Sequence, residues 1–191
     1  GADLIEVDVQ LSRDGVAFLR HNYQLPDERW SHDVPWNELQ GLKIDGESLP
    51  LLEDVLVWAK ETDVHLSLDM KTFFKPAGNL TKEVIRLLER TNTKDNALLL
   101  FFDHEELLHA KLAHPDLTVR ALLTGRLVNI AEYLQKIKAD CLSVSYGLFR
   151  PEDGKRRLKL LHGAARPAIQ PFANRGNPQN RLGHAVRRIN Q

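Results

Sequence analysis

From residue 64 onward, short apolar runs take turns with amphipathic stretches, and this rhythm limits the fold more than any other feature of the sequence. Strands are expected at residues 64–71, 97–102, 118–123, 141–146 and 168–172. Between and after them, apolar residues recur at helical spacing over 79–90, 104–113, 128–138, 152–165 and 178–189. A helix between two strands carries the chain back along the sheet, so the next strand runs in the same direction as the last. The pattern therefore predicts βαβ units and a parallel sheet, the mark of an α/β fold.

The chain opens differently. Leu4, Glu6, Asp8 and Gln10 fall on one side of an extended segment, and Ile5, Val7, Val9 and Leu11 on the other. Asp14-Gly15 is a tight-turn dipeptide, and residues 16–19 lead a second short strand towards His21. Two carboxylates thus share a strand face, and a hairpin returns an imidazole towards the same end. Acidic residues are poor strand formers. A half-exposed strand with its polar side in water is the plain explanation; a functional site is the other. Residues 23–49, with Pro26, Pro35, Trp30 and Trp36, are expected to form a loop insert pinned by its aromatics, and Pro50 to introduce a helix running to about residue 62. This gives six main strands plus a hairpin arm, in a single domain over residues 1–191.

Charge narrows the partners. Lys plus Arg and Asp plus Glu both number 26, a formal net charge of zero. A nucleic-acid or anionic-membrane binder would carry a basic excess, so no nucleic-acid partner is expected. No apolar run is long enough for an integral membrane segment, and with no signal-type stretch at the start the chain is expected to be cytoplasmic. The single cysteine, Cys141, cannot form an intrachain disulfide and is expected as a small core hydrophobe.

The run GADLIEVDVQLSRDGVAFLRHN resembles the signature of the glycerophosphodiester phosphodiesterases, a family with a (β/α)8 TIM-type barrel. Weaker matches follow in order: LPLLEDVL at 49–56, LSLDMK at 66–71, Phe101-Phe102-Asp103, and the passage from Leu161-His162-Gly163 to Asn174. On that fold the six strands would be barrel strands two to seven. The first strand, with the family's His-Arg-Gly motif, and the eighth are not in the sequence, so the barrel is expected to be incomplete and the chain inactive as it stands.

The resemblance implies a metal-dependent phosphodiesterase of lipid metabolism, releasing glycerol 3-phosphate and an alcohol from a small phosphodiester substrate. Glu6, Asp8 and Asp69 would hold a divalent metal, Mg²⁺ or Ca²⁺, whose preference for oxygen ligands suits three carboxylates. His21 would be one of two catalytic histidines, since an imidazole titrates close enough to neutrality to shuttle a proton. Lys71 would hold a phosphate oxygen, with Arg175 near the mouth of the site as a further substrate contact. His65 is expected to pack against helices. Several positions depart from the family pattern: Asn22 replaces an Asp, Asp69 a longer Glu and Phe101 a Ser. A degenerate barrel acting as scaffold or binding module is the alternative, as is a phospholipase-D-like transfer that forms a cyclic phosphate.

Overall fold

The computed structural model describes residues 4–44, 46–72, 77–144 and 148. The chain begins with strand β1 (Leu4–Leu11), which turns back into β2 (Ala17–Leu19). At the turn Gly15 has φ +86°, with open space where a Cβ would stand. The glycine is therefore required by its backbone conformation and not by crowding. Asp14 closes the turn by accepting from Ser12 Oγ at 2.7 Å, and its Oδ1 also accepts from the Trp36 backbone N–H at 2.8 Å.

That second bond ties the hairpin to the insert, which holds a single 3₁₀ turn (Ser31–Asp33), helix α1 (Trp36–Leu39) and the two-residue strands β3 (Lys43–Ile44) and β4 (Glu47–Ser48). Phe18, Leu25, Val34, Leu39 and Leu49 give it a small core of its own. Trp36 stacks obliquely on Phe18 at 5.8 Å and anchors the insert as expected. Trp30 does not: it is 40% exposed, because the segment that carries it runs over the surface.

The repeating part follows as α2 (Leu52–Glu61), β5 (His65–Met70), α3 (Ala77–Thr91), β6 (Ala97–Phe101), α4 (His104–Ala113), β7 (Val119–Leu123), α5 (Ile130–Lys136) and β8 (Cys141–Val144). Asp103 starts α4 by accepting from the N–H groups of Glu105 and Glu106, both at 3.1 Å, which satisfies donors that the first turn leaves free. Among the described residues the main sheet is open, with order β2-β1-β5-β6-β7-β8. Within this sheet only the β1–β2 pair is antiparallel. The strand expected at 168–172, the helices at 152–165 and 178–189, and Arg175 lie outside the described residues.

Strand register sorts the side chains onto two faces. Val7, Val9, Leu66, Leu68, Met70, Leu99, Phe101, Val119 and Ala121 pack with Leu52 and Leu56 of α2, Val84 and Leu88 of α3 and Leu107 of α4 to form the main core. Alternation places Glu6, Asp8 and Gln10 on the opposite face, and the pairings Asp8↔Asp69, Asp69↔Leu100, Leu100↔Arg120 and Arg120↔Cys141 extend it across the sheet. Three expectations change here. Cys141 is only half-buried and stands in Arg120's row, away from the helical core. His65 has the parity of Ser67 and Asp69, so it belongs to the carboxylate face and not to the helix side. Phe101 is fully buried in the helix-packed core, so its departure from the family pattern falls away from the carboxylates.

Candidate metal centre and active site

Two neighbouring parallel strands build the centre. Glu6 and Asp8 are two residues apart on β1, and Asp69 stands opposite Asp8 on β5. Adjacent strands are about 4.8 Å apart, so in-register carboxylates of like parity must converge. One carboxylate oxygen from each of the three lies within 4.8 Å of the others. Asp8 is 5% exposed and Asp69 4%, so little water is available to screen them.

Such a grouping needs a cation. Lys71, just past the end of β5, supplies one: its Nζ is 2.8 Å from Asp8 Oδ1 and 2.7 Å from Asp69 Oδ2. Burial alone would hold the ammonium's pKa down, but the two carboxylates outweigh it and raise it above the usual lysine value. Asp69 also moves upward, which in its case disfavours the charged form. Burial, with Asp8 adding repulsion, raises its carboxyl above the ordinary carboxylate value despite Lys71. Asp69 Oδ1 is buried with no hydrogen-bond partner, and so is Ser67 Oγ on the same face. An orphaned carboxylate oxygen and an all-oxygen donor set fit a hard divalent cation.

His21 follows the hairpin arm. The antiparallel ladder runs one rung beyond β2, where Arg20 N–H donates to Asp8 O at 2.9 Å, so the backbone of His21 comes off the arm alongside Asp8. Its ring makes a 2.8 Å hydrogen bond from Nδ1 to Asn22 Oδ1 and none to the three carboxylates. The structure thus brings Glu6, Asp8, Asp69 and Lys71 together and hangs His21 from the adjoining strand. Lys71 sits on the carboxylates themselves, where the sequence alone assigned it to a phosphate.

Sequence reasoning passed over three residues of this region. Gln10 continues the Glu6–Asp8 face and is 2% exposed. Ser31, from the insert, is fully buried against it and donates to Gln10 Oε1. Arg120 stands in the register row of Asp8 and Asp69. Parity could have flagged Gln10; the other two depend on pairings between distant segments.

A mostly parallel α/β sheet with acidic groups converging on the face away from its helices is the arrangement of a barrel-type α/β fold that carries its polar site at the strand ends. The chain belongs to the Glycerophosphoryl diester phosphodiesterase family, whose family model matches residues 1–176. It is 28% identical to the uncharacterized protein YqiK of Bacillus subtilis in an alignment of 196 residues that covers 83% of this chain and 80% of that protein. It is 24% identical over 184 residues to a glycerophosphodiester phosphodiesterase of Caldanaerobacter subterraneus, covering 90% of this chain and 73% of that one. In three dimensions it resembles an Oleispira antarctica phosphodiesterase solved with its product sn-glycerol-3-phosphate. That match has a TM-score of 0.76 at 19% identity and covers 83% of this chain and 70% of the other. The parallel sheet is accordingly that of the family's TIM-barrel structures.

Proposed function

We propose that the protein is a divalent-metal-dependent phosphodiesterase that cleaves glycerophosphodiesters to glycerol 3-phosphate and an alcohol. The convergence of Glu6, Asp8 and Asp69, with Asp69 Oδ1 left unpaired, carries this reading. Glu6, Asp8 and Asp69 would hold the cation, Mg²⁺ or Ca²⁺, which when bound would offset the phosphodiester's negative charge and favour ionisation of the attacking hydroxyl or water. Lys71 keeps a positive charge beside those carboxylates, within reach of a non-bridging phosphate oxygen. With Nδ1–H donated to Asn22, His21 presents a bare Nε2, the form that accepts a proton as general base.

Full-length protein assayed with glycerophosphocholine or glycerophosphoethanolamine tests this. Release of glycerol 3-phosphate that EDTA stops and Mg²⁺ or Ca²⁺ restores is expected, with loss of about 10²-fold or more in Glu6→Gln. Metal-independent turnover, or full activity in Glu6→Gln, contradicts it. One observation favours a non-catalytic scaffold instead: Lys71 already bridges two of the three carboxylates. Calorimetry separates the two readings, because a scaffold neutralised by its own lysine binds no Mg²⁺ or Ca²⁺.

A further inference from the structure

We infer that Gln10 is a positioning residue for His21, its buried amide holding the backbone on which the imidazole is mounted. Gln10 Nε2 donates to Arg20 O at 2.6 Å and to Asn22 O at 3.0 Å, and lies 3.4 Å from His21 O. Three consecutive carbonyls therefore converge on one amide, with His21 in the middle. On its other side Gln10 Oε1 accepts from Ser31 Oγ.

This network fixes the orientation of the amide. Reversed, Oε1 would face three carbonyl oxygens and Nε2 would lose two acceptors, a costly exchange for a group only 2% exposed. Both the nitrogen and the oxygen of the side-chain amide are engaged. The last rung of the β1–β2 ladder is Arg20 N–H to Asp8 O, so the β-bonding that could hold the strand ends just before His21. From that point Gln10 takes over. It sits two residues beyond Asp8 on the same face, so one strand carries two of the three carboxylates and also the clamp on the imidazole loop. Ser31 packs the insert against the far side of the amide and makes no bond to the loop carbonyls that Gln10 Nε2 holds.

The inference rests on His21 acting in the reaction, as proposed above, and two kinetic arms separate the ideas. His21→Ala with undiminished turnover overturns that role and this inference with it. An inactive His21→Ala beside fully active Gln10 variants overturns the inference alone. Gln10→Met is isosteric and apolar. Gln10→Glu keeps the acceptor for Ser31 and removes both donors. Misplacing a catalytic group by about 1 Å costs about 10²-fold, so either variant should lose that much in kcat, and Gln10→Met, which adds no charge to the carboxylate face, should keep KM and Mg²⁺ affinity within about twofold of the parent.

Ser31→Ala is the control, since it disturbs the same packing and leaves the bonds to the loop carbonyls intact. It should keep kcat within about threefold even where its Tm falls as far as that of Gln10→Met. Equal kcat losses in Ser31→Ala and Gln10→Met at equal Tm loss would assign Gln10 a merely structural role. If neither Gln10 variant folds, the wild-type side-chain amide protons decide by NMR: slow solvent exchange with contacts to residues 20–22 supports the clamp, and exchange at the rate of a free amide overturns it.

Discussion

Lys71 Nζ lies 2.7 Å from Asp69 Oδ2, a buried ion pair between two residues of one strand edge, and the same nitrogen reaches Asp8 Oδ1 at 2.8 Å. The ammonium is thus an internal counter-cation at the place where a divalent ion would bind. Burial is the main reason the Asp69 carboxyl still holds its proton more tightly than usual, with repulsion from Asp8 added to it.

The pair makes the stability of metal-free protein depend on pH, with a definite sign. The Asp69 pKa is raised above 3.8 in the folded state, chiefly by burial. The stabilisation this provides is complete below the unfolded value and is lost as pH rises through the folded one. In EDTA, denaturant unfolding followed from about pH 4 to about pH 7 should show stability falling through the lower part of that range. Asp69→Asn should flatten that fall. An identical slope in the variant would assign it to other groups.

Removing the counter-cation should be costly without metal and much less so with it. Lys71→Met leaves Asp8 and Asp69 facing each other unneutralised, a loss of about 3 kcal/mol for breaking one partner out of a buried ion pair. Saturating Mg²⁺ should restore most of this, because the cation takes over the same charge, and calorimetry should show Mg²⁺ binding more tightly than to the parent. KM for the diester should rise as well, since a phosphate contact has gone. Mg²⁺ affinity that is unchanged or weaker would mean that lysine and metal do not share the site.

Phe18 joins the arm bearing His21 to the insert, fully buried in the small second core beside Trp36. Phe18→Ala should cost about 3–5 kcal/mol. Limited proteolysis should then cut within residues 23–49 before it cuts the parallel sheet, because that small core is separate from the main one. Simultaneous cleavage of both would make the insert and the sheet one cooperative unit.

The parts of this architecture governed by short-range periodicity were readable from the sequence. Alternation put Glu6 with Asp8 and Asp69 with Lys71, and helical spacing located α2 to α5. What joins them was not readable. That Asp69 stands beside Asp8 is a register between strands 61 residues apart in the chain (8 and 69), which no local periodicity encodes. The clamp of Gln10 on residues 20–22 is made of side-chain-to-backbone bonds, which leave no periodic trace. Cys141 was misplaced for a related reason, because a lone thiol in an apolar run gives no face until its strand's register is known; the face of His65 was legible from its parity with Asp69 and was misassigned.

Asn22 stands where the family resemblance leads one to expect an aspartate, and its Oδ1 is 2.8 Å from His21 Nδ1. A neutral amide there orients the ring and selects the tautomer with Nε2 bare. A carboxylate in its place would orient the ring and also favour its protonated form. Asn22→Asp should therefore move the acid limb of the kcat/KM–pH profile upward by about one pH unit, since a more acidic solution is no longer needed to keep the ring protonated. At lower pH the variant should be the slower enzyme, and above the limb the two should converge. Asn22→Ala, which removes the partner altogether, should lower kcat at every pH without moving the limb upward. If Asn22→Asp leaves the limb in place, the group titrating there is not the His21 imidazole, and the base must be sought elsewhere on the carboxylate face.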